Sequence, residues 1–259
     1  MNMKHILGID AGSSFTKAVV LRDGRVLSYA VTPSGASFAE AARKVSREAL
    51  EKAAISDKDV SATAATGYGA GAVDFADRTI ADISCHAAGI HCLFPSAKAI
   101  VDIGSQFCRA IKLNGNGMVV NFVQNEKCAG GSGKFLQVIA RILHMKVEDI
   151  GPLSLQSAHP VEFTTGCAVF AESEAVSRIA EGAGPADILA GVHKAMSAKI
   201  ANLAIRIGAA QACVATGGGA KDIGLVRTLE AELGVKVMVP EEPLISAAIG
   251  AAILSQASC

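Results

Sequence analysis

One pattern occurs twice in this chain and limits the folds open to it: an apolar strand ending in Asp, a glycine turn, a second strand and a tight hairpin. The first copy is HILGIDAGSSFTKAVVLRDGRVLSYAVT. Its apolar run ends at Asp10, residues 16–21 resume as a strand, Arg22-Asp23-Gly24-Arg25 makes a hairpin turn, and residues 26–31 form a third strand. The second copy is AKAIVDIGSQFCRAIKLNGNGMVVNFVQN, with a strand to Asp102, a strand over 108–113, an Asn-Gly turn and a strand over 118–122. Internal repetition decides a fold before any local detail does. Two sheet-based lobes with a cleft between them are expected, over 1–95 and 96–259, with the last helix packing back toward the first lobe. Helical spacing over 37–53 (Phe38, Ala41, Ala42, Val45, Ala49) completes the first repeat, followed by a strand over 62–66. Further helices are expected over 134–143, after Cys167 as far as Gly182, and over 186–207, 225–233 and 244–255. Strands are expected over 212–216 and 235–239.

Composition narrows the class. Of 259 residues, 51% are hydrophobic and none is Trp, which suits a packed α/β protein. Formal net charge is zero and no basic block stands out, so nucleic-acid binding has no electrostatic support. The longest apolar stretch, 244–255, is too short to span a bilayer, so no membrane partner is expected. The opening MNMKHILGIDAG lacks the apolar core of a secretory signal. A cytoplasmic protein is expected. Seven cysteines without a CxxC pair argue against a disulfide framework. Buried thiols, or metal ligands gathered from distant positions, remain.

The two Asp-glycine turns carry the chemistry. Asp10 precedes Gly12-Ser13-Ser14, and Asp102 precedes Gly104-Ser105-Gln106. A turn with several unpaired N–H groups is a concave anion site, and glycine lets a phosphate approach the backbone. Ser13, Ser14 and Lys17 add side-chain donors. The two carboxylates suit hydrated Mg²⁺, which takes oxygen ligands and keeps its waters; either could instead position an attacking water. Gly217-Gly218-Gly219, after the strand over 212–216, suits a surface against adenosine.

Strand–DxGSSxxK, a second strand–DIG and a late TGGG resemble the phosphate-1, phosphate-2 and adenosine elements of the actin/Hsp70/sugar-kinase ATPases. The resemblance implies a duplicated, ribonuclease H-like α/β fold of two lobes closing over Mg-ATP. It assigns Gly12, Ser13, Ser14, Phe15, Lys17, Gly104, Ser132, Gly133, Gly217, Gly218 and Gly219 to binding ATP or ADP. It assigns Asp10, Asp102 and Gln106 to catalysis with Mg²⁺.

Within that superfold, KCAGGSGKFLQVIA, TTGCAVFAESEAVSRIAEG, ATGYG and DISCHAAG resemble the BadF/BadG/BcrA/BcrD family. That family includes activators of 2-hydroxyacyl-CoA dehydratases and ATPase subunits of benzoyl-CoA reductase. The resemblance implies that Cys128 and Cys167 bind a 4Fe–4S cluster, two thiolates from each chain of a homodimer. It implies a ferredoxin or flavodoxin as electron donor and an iron–sulfur dehydratase or reductase as acceptor. The residues agree: both cysteines precede expected helix starts, where unpaired N–H groups and the helix dipole favour thiolates, and Thr164 or Thr165 could cap the second helix. A two-fold axis supplies the other two ligands.

The remaining cysteines read differently. Cys85, Cys92, Cys108 and Cys213 lie among apolar neighbours and are expected in the core, with Cys259 exposed at the terminus. His86 and His91 fit no standard metal spacing and read as structural. Glu172 and Glu174 are expected to open the helix after Cys167, where acids suit the dipole. One departure stands out. The family's second turn usually reads DIGGQD, whereas here Ser105 replaces a Gly and Phe107 replaces the second acid. A small-molecule kinase of the same superfold, or a nucleotide-binding scaffold without redox work, are the competing readings.

Overall fold

The computed structural model describes residues 5–125, 131–163, 168–209 and 211–256. Cys128, Cys167, Thr164, Thr165 and Cys259 lie outside them. The chain divides into two compact units, one of residues 1–97, 113–119 and 244–259, the other of 98–112 and 120–243.

The first unit holds strands β1 (His5–Ala11), β2 (Phe15–Arg22), β3 (Arg25–Pro33), β4 (Val60–Thr66) and β5 (Arg78–Thr79), in the order β3-β2-β1-β4-β5. β1 is antiparallel to β2 and parallel to β4. Alternation along β1 and β2 sorts their side chains to two faces. Leu7, Ile9, Ala18 and Val20 meet Ala42, Val45 and Ala49 of helix α1 (Phe38–Ala53). Ile6, Val19 and Leu21 meet Ala248, Ile249 and Ala252 of helix α8 (Ser246–Gln256). Both faces are covered, so the central strand reads as an unbroken apolar run. Ser37 caps α1 by accepting from the Glu40 N–H at 3.2 Å. Helix α2 (Asp82–Leu93) packs closely on α8, and a Cβ at Gly250 would strike the Cys85 carbonyl.

The second unit repeats the plan. Strands β6 (Ala99–Ile103), β7 (Cys108–Leu113), β8 (Val119–Gln124), β9 (Cys213–Thr216) and β10 (Val237–Met238) run in the order β10-β9-β6-β7-β8. Matching β6 to β1, β7 to β2, β8 to β3, β9 to β4 and β10 to β5 reproduces the first sheet in order, and in direction for β6, β7, β9 and β10. Its core is filled from helices α3 (Gly133–Ile142), α4 (Val147–Ser154), α5 (Ala168–Ala180), α6 (Pro185–Arg206) and α7 (Ile223–Leu233), through Phe135, Ile139, Ile150, Ala171, Val192, Met196 and Leu225. Among the described residues no helix is long and apolar enough to cross a membrane.

Candidate functional site

The duplication extends to individual side chains. Asp10 stands opposite Lys17 across the β1–β2 ladder, and Asp102 stands opposite Arg109 across β6–β7. Each carboxylate is buried, and each is engaged by the base facing it. Lys17 Nζ donates to Asp10 Oδ2 at 2.7 Å, and Arg109 lies 3.5 Å from Asp102 Oδ2. The Arg109 Nε–H donates to Gln124 Oε1 at 2.6 Å, and the guanidinium sits 5.5 Å from the Phe107 ring centre. Phe107, the departure in the second turn, therefore stacks beside the base that faces Asp102.

The turns close alike. The Gly12 N–H donates to the Phe15 carbonyl at 3.1 Å, and the Gly104 N–H to the Phe107 carbonyl at 2.9 Å. Side chains from neighbouring segments brace both. The Ser34 hydroxyl donates to the Gly12 carbonyl at 2.6 Å and lies 2.9 Å from Thr16 Oγ1. The Cys108 N–H donates to Asn125 Oδ1 at 2.8 Å. Ser13, Phe15 and Gln106 are exposed at the turns, and Ser14 is half-buried.

A third pair of repeats supports the carboxylates from the opposite side. ATGYGA at 65–70 recurs as ATGGGA at 215–220. Thr66 is the parallel neighbour of Asp10, and Thr216 that of Asp102. Each hydroxyl donates to a backbone carbonyl at 2.8 Å, Thr66 to Ile80 and Thr216 to Pro243. Gly67 and Gly217 follow with φ of 90° and 82°, the left-handed region that favours glycine. A Cβ on Gly67 would strike Asp10 Oδ1, and one on Gly217 would lie 2.6 Å from Asp102 Oδ1. Thr66, Gly67 and Thr216 escaped the sequence reading of the site, although the repeated ATGxGA was available to find them. Gly217 and Gly218 are partly or fully exposed, and Gly219 is buried.

The second turn also anchors a helix. The Gly133 N–H donates to the Gly104 carbonyl at 2.8 Å and the Lys134 N–H to the Ser105 carbonyl at 3.0 Å. The first turn of α3 is thus capped by the Asp-glycine turn itself, with Ser132 buried at its start. Helices α3 and α5, which begin just after Cys128 and Cys167, pack on each other through Phe135, Ile139, Ala171 and Ala175. Arg141 and Glu172 add a 3.7 Å ion pair across the two helices.

Two sequence expectations are corrected. Cys92 is exposed, because its position near the end of α2 faces away from the core; Cys85, Cys108 and Cys213 are buried as expected. Glu172 and Glu174 lie past the first turn of α5, which begins at Ala168, and they pair with Arg141 and Arg178 at 3.7 Å. Burial pushes the Cys85 and Cys213 thiols up to about 12, with a Thr66 hydrogen bond partly opposing the rise at Cys85. Burial likewise raises the Cys108 thiol, which suits packing groups rather than thiolate ligands.

A duplicated sheet with one acid, one base and one glycine turn per repeat defines a nucleotide-binding protein of the actin/Hsp70/sugar-kinase fold. The model of the BadF/BadG/BcrA/BcrD ATPase family matches residues 7–255, and the chain belongs to that family. It is 38% identical to the activator of lactoyl-CoA dehydratase from Anaerotignum propionicum, covering 96% of both chains. It is similar to the crystal structure of (R)-2-hydroxyglutaryl-CoA dehydratase component A from Acidaminococcus fermentans (TM-score 0.94, 35% identity, 97% of each chain). It is also similar to the activator of the 2-hydroxyisocaproyl-CoA dehydratase from Clostridium difficile with bound ADPNP (TM-score 0.93, 34% identity, 97% of this chain and 94% of the other).

Proposed function

We propose that this chain is an ATP-dependent one-electron donor, a homodimer holding one 4Fe–4S cluster that activates an iron–sulfur 2-hydroxyacyl-CoA dehydratase. The relatives named as dehydratase activators support the choice of partner over a reductase complex or a sugar-type kinase.

The residues fit Mg-ATP. A Cβ at Gly12 would come within 2.8 Å of Lys17 Nζ and the Phe15 carbonyl, and one at Gly104 within 2.9 Å of the Phe107 carbonyl, so only glycine keeps these turns open. Gly12, Ser13, Ser14, Phe15 and Gly104 offer the phosphates backbone and hydroxyl donors. Lys17, whose Nζ lies beside Gly12 and on Asp10, is the side-chain cation that a phosphate at the first turn would meet. Asp10, Asp102 and Gln106 are the residues that would serve Mg²⁺ and the attacking water, and the metal would supply charge stabilisation, with little covalent work left to the protein. Gly217, Gly218 and Gly219 pack against adenosine.

Position in sequence supports the cluster: α5 begins one residue after Cys167 and α3 five residues after Cys128, and the two helices pack together. Unpaired N–H groups and the dipole at a helix start favour a thiolate there. Two ligands per chain require a second copy of the chain. The bound cluster supplies a one-electron store, loaded by ferredoxin or flavodoxin.

The observation that carries the proposal is the pair of hydrogen bonds from Gly133 and Lys134 to Gly104 and Ser105. Four residues of chain, 129–132, separate that junction from Cys128. A phosphate that shifts the second turn would therefore shift the α3 N-terminus and, through this short stretch of chain, the proposed ligand Cys128. Helix orientation, hydrogen bonding and solvent at the cluster are levers on its potential. Anaerobic mixing of dithionite-reduced protein with a 2-hydroxyacyl-CoA dehydratase tests this. Dehydration should begin with ATP, and should fail with a non-hydrolysable analogue or with Cys128→Ala. Equal activation without nucleotide would refute the coupling.

A further inference from the structure

Ser154 of α4, His193 of α6 and Asp222 form a buried polar chain that no part of the proposed chemistry uses. His193 is fully buried, and the other two are nearly so. The His193 Nε2–H donates to Asp222 Oδ2 at 3.0 Å, and Nδ1 lies 2.9 Å from Ser154 Oγ. The Ser154 hydroxyl donates in turn to the Gly151 carbonyl at 2.7 Å. Space for the trio is made by two glycines on different helices. A Cβ at Gly224 would strike Ser154 Oγ and lie 2.7 Å from His193 Nδ1, and one at Gly151 would lie 2.5 Å from Asp222 Oδ1. A nucleophile sealed in this way meets no substrate, so the trio does not act as a hydrolytic triad.

Its place in the fold gives it another task. Asp222 follows the short turn Gly218–Lys221, and its N–H donates to the Gly219 carbonyl at 3.2 Å. Both carboxylate oxygens are committed: Oδ1 accepts from the Leu225 N–H at 3.0 Å and caps α7, and Oδ2 accepts from His193. The start of the same turn is tied separately, by the Gly217 N–H to the Pro243 carbonyl at 3.0 Å. The rear of the glycine turn is thus fastened to α6 and α4 through one histidine.

We infer that His193 is a positioning residue for the base of the nucleotide, holding the 217–219 turn in register through Asp222, with Ser154 fixing the ring. The inference rests on the assignment of that turn to adenosine. It predicts a loss at the purine end of the ligand, because the trio meets the rear of the turn at Asp222, whereas Gly217, which lies against Asp102, is tied separately to Pro243.

The test compares wild type with His193→Gln, Ser154→Ala and Gly218→Val, each purified anaerobically as the full chain. Steady-state ATPase kinetics are paired with calorimetric binding of ATP and of tripolyphosphate, which lacks a base. Losing a buried hydrogen-bond partner should raise KM and Kd for ATP by about tenfold in His193→Gln and about threefold in Ser154→Ala. In both, kcat and tripolyphosphate affinity should stay at wild-type values. Should His193→Gln not fold, Ser154→Ala, which removes a single hydroxyl, carries the same prediction. Unchanged KM in a folded variant, or a parallel loss of tripolyphosphate binding, would overturn the inference. Gly218→Val separates the two levels: intact ATP binding in that variant would remove the adenosine assignment, whereas its loss beside a normal His193→Gln would sink the positioning role alone.

Discussion

Replacing Lys17 by Met removes the base that faces Asp10 while keeping the length of the side chain. The ion pair spans 2.7 Å with both side chains only 10% exposed. At an effective dielectric near 20 the gross attraction across that distance is about 6 kcal/mol, most of it offset by desolvation of the two groups. Leaving a buried carboxylate without its partner costs more than the net worth of the pair, about 3 kcal/mol. For a chain of this size that lowers the melting temperature by about 6–12 °C. Removing both charges in Lys17→Met/Asp10→Asn should recover most of the loss, because no unpaired charge remains. Urea denaturation of the nucleotide-free protein, run as a double-mutant cycle, reads this coupling directly. Additive single losses would show that Asp10 does not depend on Lys17, and the reading of each acid as held by its in-register base would fail.

Gly217→Ala puts a Cβ at φ 82° and within 2.6 Å of Asp102 Oδ1, and should cost about 2–4 kcal/mol in urea denaturation together with most ATPase activity. Gly234→Ala, at φ 67° beyond α7 with open space around it, should cost about 1 kcal/mol and spare activity. The raised Cys85 and Cys213 thiols keep their protons in the fold while the unfolded chain ionises from the ordinary value of 9.0. Their contribution is complete below pH 9.0 and is lost as pH rises toward about 12, so the urea midpoint should fall across that window and fall less in Cys213→Val. Arg141→Ala breaks an ion pair whose side chains are 73% and 54% exposed, and should change stability by less than about 0.5 kcal/mol.

The sheets were legible because each central strand is a short apolar run that reaches Asp, one apolar residue and Gly, and because the run occurs twice. The long helices announced themselves by apolar spacing, as in Val45 and Ala49 of α1, or by punctuation, as with Pro185 at the start of α6 and Gly234 after α7. Helix α4 escaped notice because Gly151 and Pro152 stand inside it, residues that ordinarily break helices. Gly151 is there to admit Asp222, a demand set by a residue 71 positions later and invisible to any local pattern. The two-residue strands β5 and β10 have no periodicity to read, and only the one expected over 235–239 was anticipated. At the site, the acids and glycines stood out by spacing, whereas the pairing of Asp102 with Arg109 depends on ladder register. Cys92 was misplaced because apolar neighbours in sequence do not fix which side of a helix faces the core.

The claim on which the account depends is that Cys128 and Cys167 form half of a cluster site, completed by a second copy of the chain. Iron and acid-labile sulfide, measured on oxygen-free protein together with native mass, test it most directly. Wild type should be a brown dimer with about four irons, as four thiolates around one cubane require, and Cys128→Ala should hold none. A colourless, iron-free wild type with both cysteines intact would contradict the account and leave a nucleotide-hydrolysing or nucleotide-binding role without redox work.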